Sequence, residues 1–193
     1  MQPPDNVHTE NGQVGDVYLT RLEIAARVTE LGEEIAGEYA ELDPILVAPL
    51  KSSVVFLADL TRALRIPHTL DVIELAPYTD GQGGGARLLK DTDAPLEDRH
   101  ILLVEDVVDT GLTLNFLCRT LALRNPASIA AVTLLDRPYR RLVDELPLRF
   151  VGFTVPDELF AGYGLGLEER WRVLPDLHLV SSIALPSAAT EAA

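Results

Sequence analysis

Cysteine occurs once in 193 residues, at Cys118, so no disulfide can form within the chain and a reducing compartment is expected. Lysine is nearly as scarce. Of 16 basic residues only Lys51 and Lys90 are lysine and the rest are arginine, so a lysine kept in this background is informative. Basic residues are themselves outnumbered, and a net charge of −14 argues against nucleic acid or an anionic membrane as partner. A small phosphorylated ligand is still compatible, because a few local donors and a divalent cation hold one. No run reaches the ~20 apolar residues of a spanning helix, and the opening MQPPDNVHTENGQVGD lacks the apolar core of a secretory signal. A soluble, cytoplasmic protein is expected. His8, His68, His100 and His178 are too scattered for metal-ligand spacing.

Apolar residues make up 47% of the chain, enough for one core. The expected organisation is a single domain over 18–185 between flexible tails, 1–17 and 186–193. From Thr20, apolar residues at helical spacing follow an N-cap threonine with Glu23 at the capping-box position. ILVAPL (45–50) reads as a strand, 53–65 as a helix and HTLDVIEL (68–75) as a strand. A long polar, glycine-rich connection over 76–99 then has the character of a lid. Strand 101–108, helix 113–124 and strand 128–136 follow. A short helix YRRLVDEL, strand 149–155 and an edge strand HLVSSIAL (178–185) complete the pattern. Alternating strands and helices imply an α/β fold, a mostly parallel twisted sheet flanked by helices, with a small hood from the chain ends. Ligands in such sheets bind beyond the carboxyl ends of the strands, where strand order switches.

The stretch that would lie there is ILLVEDVVDTGLTL (101–114). Glu105, Asp106 and Asp109 crowd the end of an apolar strand, which costs stability unless a solvated turn, a metal or a hydroxyl-rich ligand satisfies them. Asp109 to Thr113 open a helix, where free N–H groups and the dipole favour an anion. Gly111 permits close approach, and Thr110 and Thr113 add hydroxyls. Carboxylates suit ribose hydroxyls or a hydrated magnesium ion. The pattern describes a site for a phosphorylated ribose; the plainer reading is a helix cap.

ILLVEDVVDTGLTL resembles the phosphoribosyl-pyrophosphate signature of type I phosphoribosyltransferases. LKSSVVFLADL (50–60), ARLLKDTDAPLEDRHILLVED (86–106), VTLLDRP (132–138) and VGFTVPDELFAGYGLGLEERWRVLP (151–175) are similar, in order, to the hypoxanthine-guanine branch. The resemblance covers roughly residues 17–182. It implies the type I phosphoribosyltransferase fold and a glycosyltransferase reaction. A 6-oxopurine attacks C1 of phosphoribosyl pyrophosphate, with magnesium, in purine salvage. By position, Glu105 and Asp106 hold the ribose hydroxyls and the metal. Asp109 is the general base, and Thr110, Gly111, Leu112 and Thr113 take the 5′-phosphate. Leu50, Lys51, Ser52 and Arg172 serve the pyrophosphate, Arg137, Leu159 and Phe160 the purine, and Tyr78 the lid. Phosphoribosyl pyrophosphate and a purine base are the implied partners, and the family is usually a homodimer or homotetramer. A regulatory binder without transfer, or a transferase for xanthine, are the alternatives; the base at Asp109 favours an enzyme.

Five positions depart from the family pattern. Ser52 stands for a glycine, Pro77 for a serine and Arg137 for a lysine. Leu159 takes the place of a stacking aromatic, with Phe160 adjacent. Gly166 replaces an aspartate that helps a second magnesium, with Glu168 and Glu169 as nearby substitutes. The sugar-phosphate half is intact and the base half altered. GQGGG (81–85) reads as lid flexibility, Cys118 as core and Trp171 as packing.

Overall fold

The structure, a computed structural model, describes residues 8–9, 12–76, 87–167 and 169–181. In chain order the elements are β1 (His8–Thr9), β2 (Gly12–Leu19), α1 (Arg21–Tyr39), β3 (Ile45–Leu50), α2 (Val54–Ala63), β4 (Thr69–Leu75) and β5 (Leu88–Lys90). Then come β6 (His100–Val108), α3 (Leu112–Ala122), β7 (Ser128–Asp136), β8 (Leu148–Thr154), β9 (Phe160–Ala161) and β10 (Leu177–Ser181). The Thr20 cap forms as expected: its hydroxyl accepts from Glu23 N–H while the Glu23 carboxylate accepts from Thr20 N–H.

Six strands form one sheet in the order β5-β4-β3-β6-β7-β8. All neighbours are parallel except β4 and β5. Side chains alternate across a strand, so the apolar runs must be covered on both faces. Leu46, Ala48, Leu102 and Val104 meet Ile24, Leu31, Ile35, Phe56 and Leu60 of α1 and α2. Ile45, Val47, Ile101 and Leu103 meet Leu114, Leu117 and Leu121 of α3 on the other face. Each such side chain, fully buried, contributes about 1.5–3 kcal/mol. Cys118 packs against the second core, and burial pushes its thiol up to about 12, so it is a structural residue.

Three expectations are corrected. Residues 12–17 belong to β2, which pairs with β10 over a sequence distance that no local pattern reveals. β10 is no edge of the main sheet; it lies inside a second sheet, β1-β2-β10-β9, which forms the hood. YRRLVDEL is not a helix beyond the 3-10 turn Pro138–Arg140. There Leu142 N–H bonds to Thr110 O and Arg141 pairs with Asp136, so tertiary partners take the groups a helix would use.

The return limb of the 76–99 connection is anchored and is therefore no mobile lid. β5 pairs with β4, and Arg124 forks onto Asp91. The buried Asp71 accepts N–H bonds from Val72 (2.8 Å), Asp93 (2.7 Å) and Ala94 (3.0 Å), with Lys90 Nζ at 3.6 Å. Pro77, Tyr78 and GQGGG lie outside the described residues.

Burial pushes the Asp71 carboxyl up, but the three N–H groups and Lys90 outweigh it and hold it below the ordinary aspartate range. Its depressed pKa therefore adds stability that is fully present above the unfolded value and disappears as pH falls through the folded one. Asp71→Ala is expected to cost about 2–3 kcal/mol, or ~4–12 °C in Tm for a chain of this size, because buried donors lose their acceptor. Thermal melts should show the gap between variant and parent shrinking in acid. A gap independent of pH would refute the charged form as the stabilising one.

Candidate functional site

Strand order reverses between β3 and β6: from there the chain builds outward through β4 and β5 on one side and β7 and β8 on the other. The switch point is open beyond their carboxyl ends, since helices leave in opposite directions. β3 ends at Leu50, whose peptide bond to Lys51 is cis. β6 ends in Glu105, Asp106, Val107 and Val108.

Successive strand residues point to opposite faces, and this separates the two carboxylates. Glu105 lines a cavity of about 290 Å³ with Asp109, Thr110, Gly111, Thr113 and Leu114. Asp106 lines a second, of about 280 Å³, with Ser52, Arg137, Leu159, Phe160, Leu165, Gly166 and Arg172. Val107 borders both.

Glu105 is 4% exposed and its Oε1 has no hydrogen-bond partner. Burial first, and the adjacent Asp106 second, push its carboxyl well above the usual range. Asp106, 6% exposed, is likewise raised by burial, against which the hydroxyls of Ser52 and Ser53 and nearby N–H groups work. Ser53 Oγ donates to Asp106 Oδ1 at 3.3 Å. Glu105, buried with an orphaned oxygen, is an acceptor that a cation or a hydroxyl would complete, whereas Asp106, on the opposite face, already accepts from Ser53.

The turn after β6 is shaped by Gly111, at φ +81°. That backbone conformation demands glycine, and a Cβ there would also have to displace the end of the Leu146 side chain, 2.7 Å away. α3 begins at the next residue, and Gly111 at its N-cap offers no side-chain cap, so the N–H groups of the first turn lack helical partners. Thr110 Oγ1 accepts the Leu112 N–H at 3.4 Å. Leu112 itself is exposed and does not line the cavity, so its side chain has no part in the cradle.

On the other side Arg137 is 7% exposed, its Nη2 donating to Asp157 Oδ1 at 2.6 Å and its Nη1 lying 3.4 Å from Asp109 Oδ2. Arg140 joins the same network, with Nε 2.8 Å from Asp157 and Nη1 3.8 Å from Asp109. Asp109 Oδ1 and Arg137 Nε are both buried and without partners, so each has unmet hydrogen-bonding capacity. Asp157 and Arg140 are constituents that sequence reasoning missed. Their signal was proximity, one beside Arg137 in DRPYRR and the other beside Leu159 in PDELF.

The aromatic next to Leu159 does not replace it. Phe160 pairs with Leu179 in the hood and its ring lies 4.9 Å from that of Tyr18, so it belongs to the core although one edge reaches the cavity. Leu159 is 46% exposed at the mouth. Val180 N–H bonds to Leu159 O at 2.9 Å, which holds this register.

Lys51 does not line either cavity; its Nζ pairs with Glu169 at 2.8 Å. Arg172 Nη2 reaches the same carboxylate at 3.1 Å and Nη1 donates to Gly164 O at 3.0 Å. At Gly166 a Cβ would stand 2.7 Å from the guanidinium carbon of Arg172, which fills the room a side chain would take. Glu168 is outside the described residues. His68, His100 and His178 each bond to a neighbouring protein group, and no cluster of three metal-ligating side chains occurs among the described residues. Among them, too, no helix is long and apolar enough to cross a membrane.

The chain matches the phosphoribosyl transferase domain family over residues 15–160. It is 40% identical over 164 residues to the hypoxanthine phosphoribosyltransferase of Salmonella typhimurium, spanning 83% of this chain and 92% of that one. It is also 40% identical over 182 residues to the hypoxanthine-guanine phosphoribosyltransferase of Mycobacterium tuberculosis, 90% of each. A crystal structure of a hypoxanthine-guanine phosphoribosyltransferase from Bacillus anthracis superposes with a TM-score of 0.83 at 35% identity, covering 89% of this chain and 100% of the other.

Proposed function

Because the chain belongs to the phosphoribosyl transferase domain family, we propose that it is a purine-salvage glycosyltransferase acting at the switch point of its sheet. It transfers the 5-phosphoribosyl group of phosphoribosyl pyrophosphate to hypoxanthine or guanine, giving the nucleoside monophosphate and pyrophosphate. The observation that carries this reading is the pair of cavities meeting at Glu105 and Asp106, with a helix-start cradle in one and arginines in the other.

In this reading the 5′-phosphate sits on the turn Thr110 to Thr113, where N–H groups and hydroxyls converge. Glu105 and Asp106 accept from the ribose hydroxyls. The purine lies between Leu159 and Arg137, whose unpartnered Nε donates to the exocyclic oxygen. A purine nitrogen forms its bond to C1 as the C1–oxygen bond to pyrophosphate breaks, and the displaced ring proton passes to Asp109. Lys51 and Arg172 hold the departing anion, which matters most while charge develops on it. These cations, with Arg137 and Arg140, supply donors for anionic substrates within a strongly acidic chain.

The Glu105 carboxylate also fits magnesium. Glu105 has an orphaned buried oxygen, and magnesium is usually held by one or two carboxylates together with substrate oxygens and water. When bound it would neutralise charge on the pyrophosphate. Gly166 offers no such ligand.

Pyrophosphate release from phosphoribosyl pyrophosphate and magnesium, with hypoxanthine, guanine, xanthine, adenine and uracil supplied in turn, tests the reading. Release with a 6-oxopurine is expected. Thermal stabilisation by the sugar substrate without release for any base would instead mark a binder. The family's usual setting, a cytoplasmic homodimer or homotetramer, is carried with this reading and is tested by size-exclusion chromatography.

A further inference from the structure

Glu169 bonds to Arg172, which lines the second cavity, and both of its carboxylate oxygens are engaged. Oε2 meets Lys51 Nζ at 2.8 Å and Oε1 meets Arg172 Nη2 at 3.1 Å. Lys51 follows β3, whereas Glu169 and Arg172 belong to the connection between β9 and β10, so the carboxylate bridges two cations from separate elements. The turn that presents it is closed by reciprocal backbone bonds between Leu167 and Arg170, at 3.2 and 2.9 Å. Glu169 itself has φ +65°, uncommon for a residue with a side chain.

We propose that Glu169 is a positioning residue that occupies the place of the substrate's pyrophosphate, gathering Lys51 and Arg172 in the free chain and yielding them when that group arrives. The proposal rests on the assignment of these two cations to pyrophosphate. Three observations bear on it. A bidentate carboxylate between two cations imitates the paired oxygens of a diphosphate. Lys51 and Glu169 are each 65% exposed, and exposed ion pairs are weak, so the contact is exchangeable. Arg172 also keeps a buried Nε without a partner, so its donors are not all satisfied while Glu169 holds it. Pyrophosphate brings more charge and more acceptor oxygens than one carboxylate and displaces it, at a cost in affinity equal to the bond broken.

Glu169→Gln removes the competitor while keeping the side chain's size. Inorganic pyrophosphate with magnesium, titrated calorimetrically into the full chain, should then bind about three- to tenfold more tightly, the scale of one or two exposed ion pairs. The KM for phosphoribosyl pyrophosphate should fall by a similar factor, with a smaller change in kcat. Binding of the nucleoside monophosphate, which lacks a pyrophosphate, should stay within about twofold, a selectivity that a general loosening of the loop would not produce. Lys51→Gln in the same titration separates the two layers. If Lys51→Gln weakens pyrophosphate but Glu169→Gln leaves it unchanged or weaker, the cation assignment stands and the role of Glu169 is overturned. If neither variant alters pyrophosphate binding, the cation assignment falls and the proposal falls with it.

Discussion

Asp109→Asn is expected to lower kcat by about 10²–10⁴-fold, the usual contribution of a positioned base, while the Kd for phosphoribosyl pyrophosphate stays within about threefold. The carboxylate sits between the two cavities' chemistries. It lines the first cavity, yet its Oδ2 faces Arg137, which lines the other. Its Oδ1 is buried and unpartnered, so there is an acceptor with room for a proton. Asparagine keeps the shape and still offers an oxygen to Arg137 but cannot take that proton. The cradle is built from Gly111, the threonine hydroxyls and backbone N–H groups, none of which the substitution touches. Steady-state turnover and a thermal-shift titration on the same preparation separate the two effects. Undiminished turnover would remove Asp109 from the base role. Lost sugar-substrate binding would mean that it holds the substrate instead.

Glu105→Gln should move stability and binding in opposite directions. The free chain keeps a carboxylate almost wholly out of water with one oxygen unbonded, beside a second buried carboxylate. An uncompensated buried charge costs several kcal/mol in principle, and part of that is relieved by raising its proton affinity, as burial does here. Glutamine of the same length removes the charge, so the free variant is expected to be more stable by ~1–2 kcal/mol, a rise of about 2–8 °C in Tm. The same change takes away the anionic acceptor proposed for ribose and metal, and the Tm increment on adding phosphoribosyl pyrophosphate with magnesium should shrink by more than half. A variant that melts lower than its parent and gains as much from ligand would show that Glu105 serves the fold. The opposed outcome is the ordinary signature of a site whose geometry is kept at the expense of stability.

Much of the site was legible because its residues are contiguous. The strand, the three acids and the helix start all lie within 101–114, so a period change and one glycine located the cradle. The mostly parallel sheet followed from alternation of apolar strands and helices, while its strand order was read only from the structure. The hood was less accessible. β2 (GQVGDVYL) has no regular apolar alternation, and it is a strand because β10, distant in the sequence, pairs with it. The failed helix at YRRLVDEL has a similar cause: Arg141 and the Leu142 N–H find partners on Asp136 and Thr110 instead of within a helix.

Local chemistry by itself settled the acceptor-rich strand end, the glycine at 111, the cap of α1 and the two-faced character of β3 and β6. Those properties depend on neighbours within a few residues, where propensity and period act. Tertiary structure alone decided that Glu105 and Asp106 face different cavities with different partners. It also decided that Arg137 is held by Asp157 with Arg140 beside it, that Phe160 is core while Leu159 meets the cleft, and that Glu169 spans Lys51 and Arg172. Each of these joins residues far apart in sequence. The loops that carry them have no period of their own, and only the closed sheet fixes their distances.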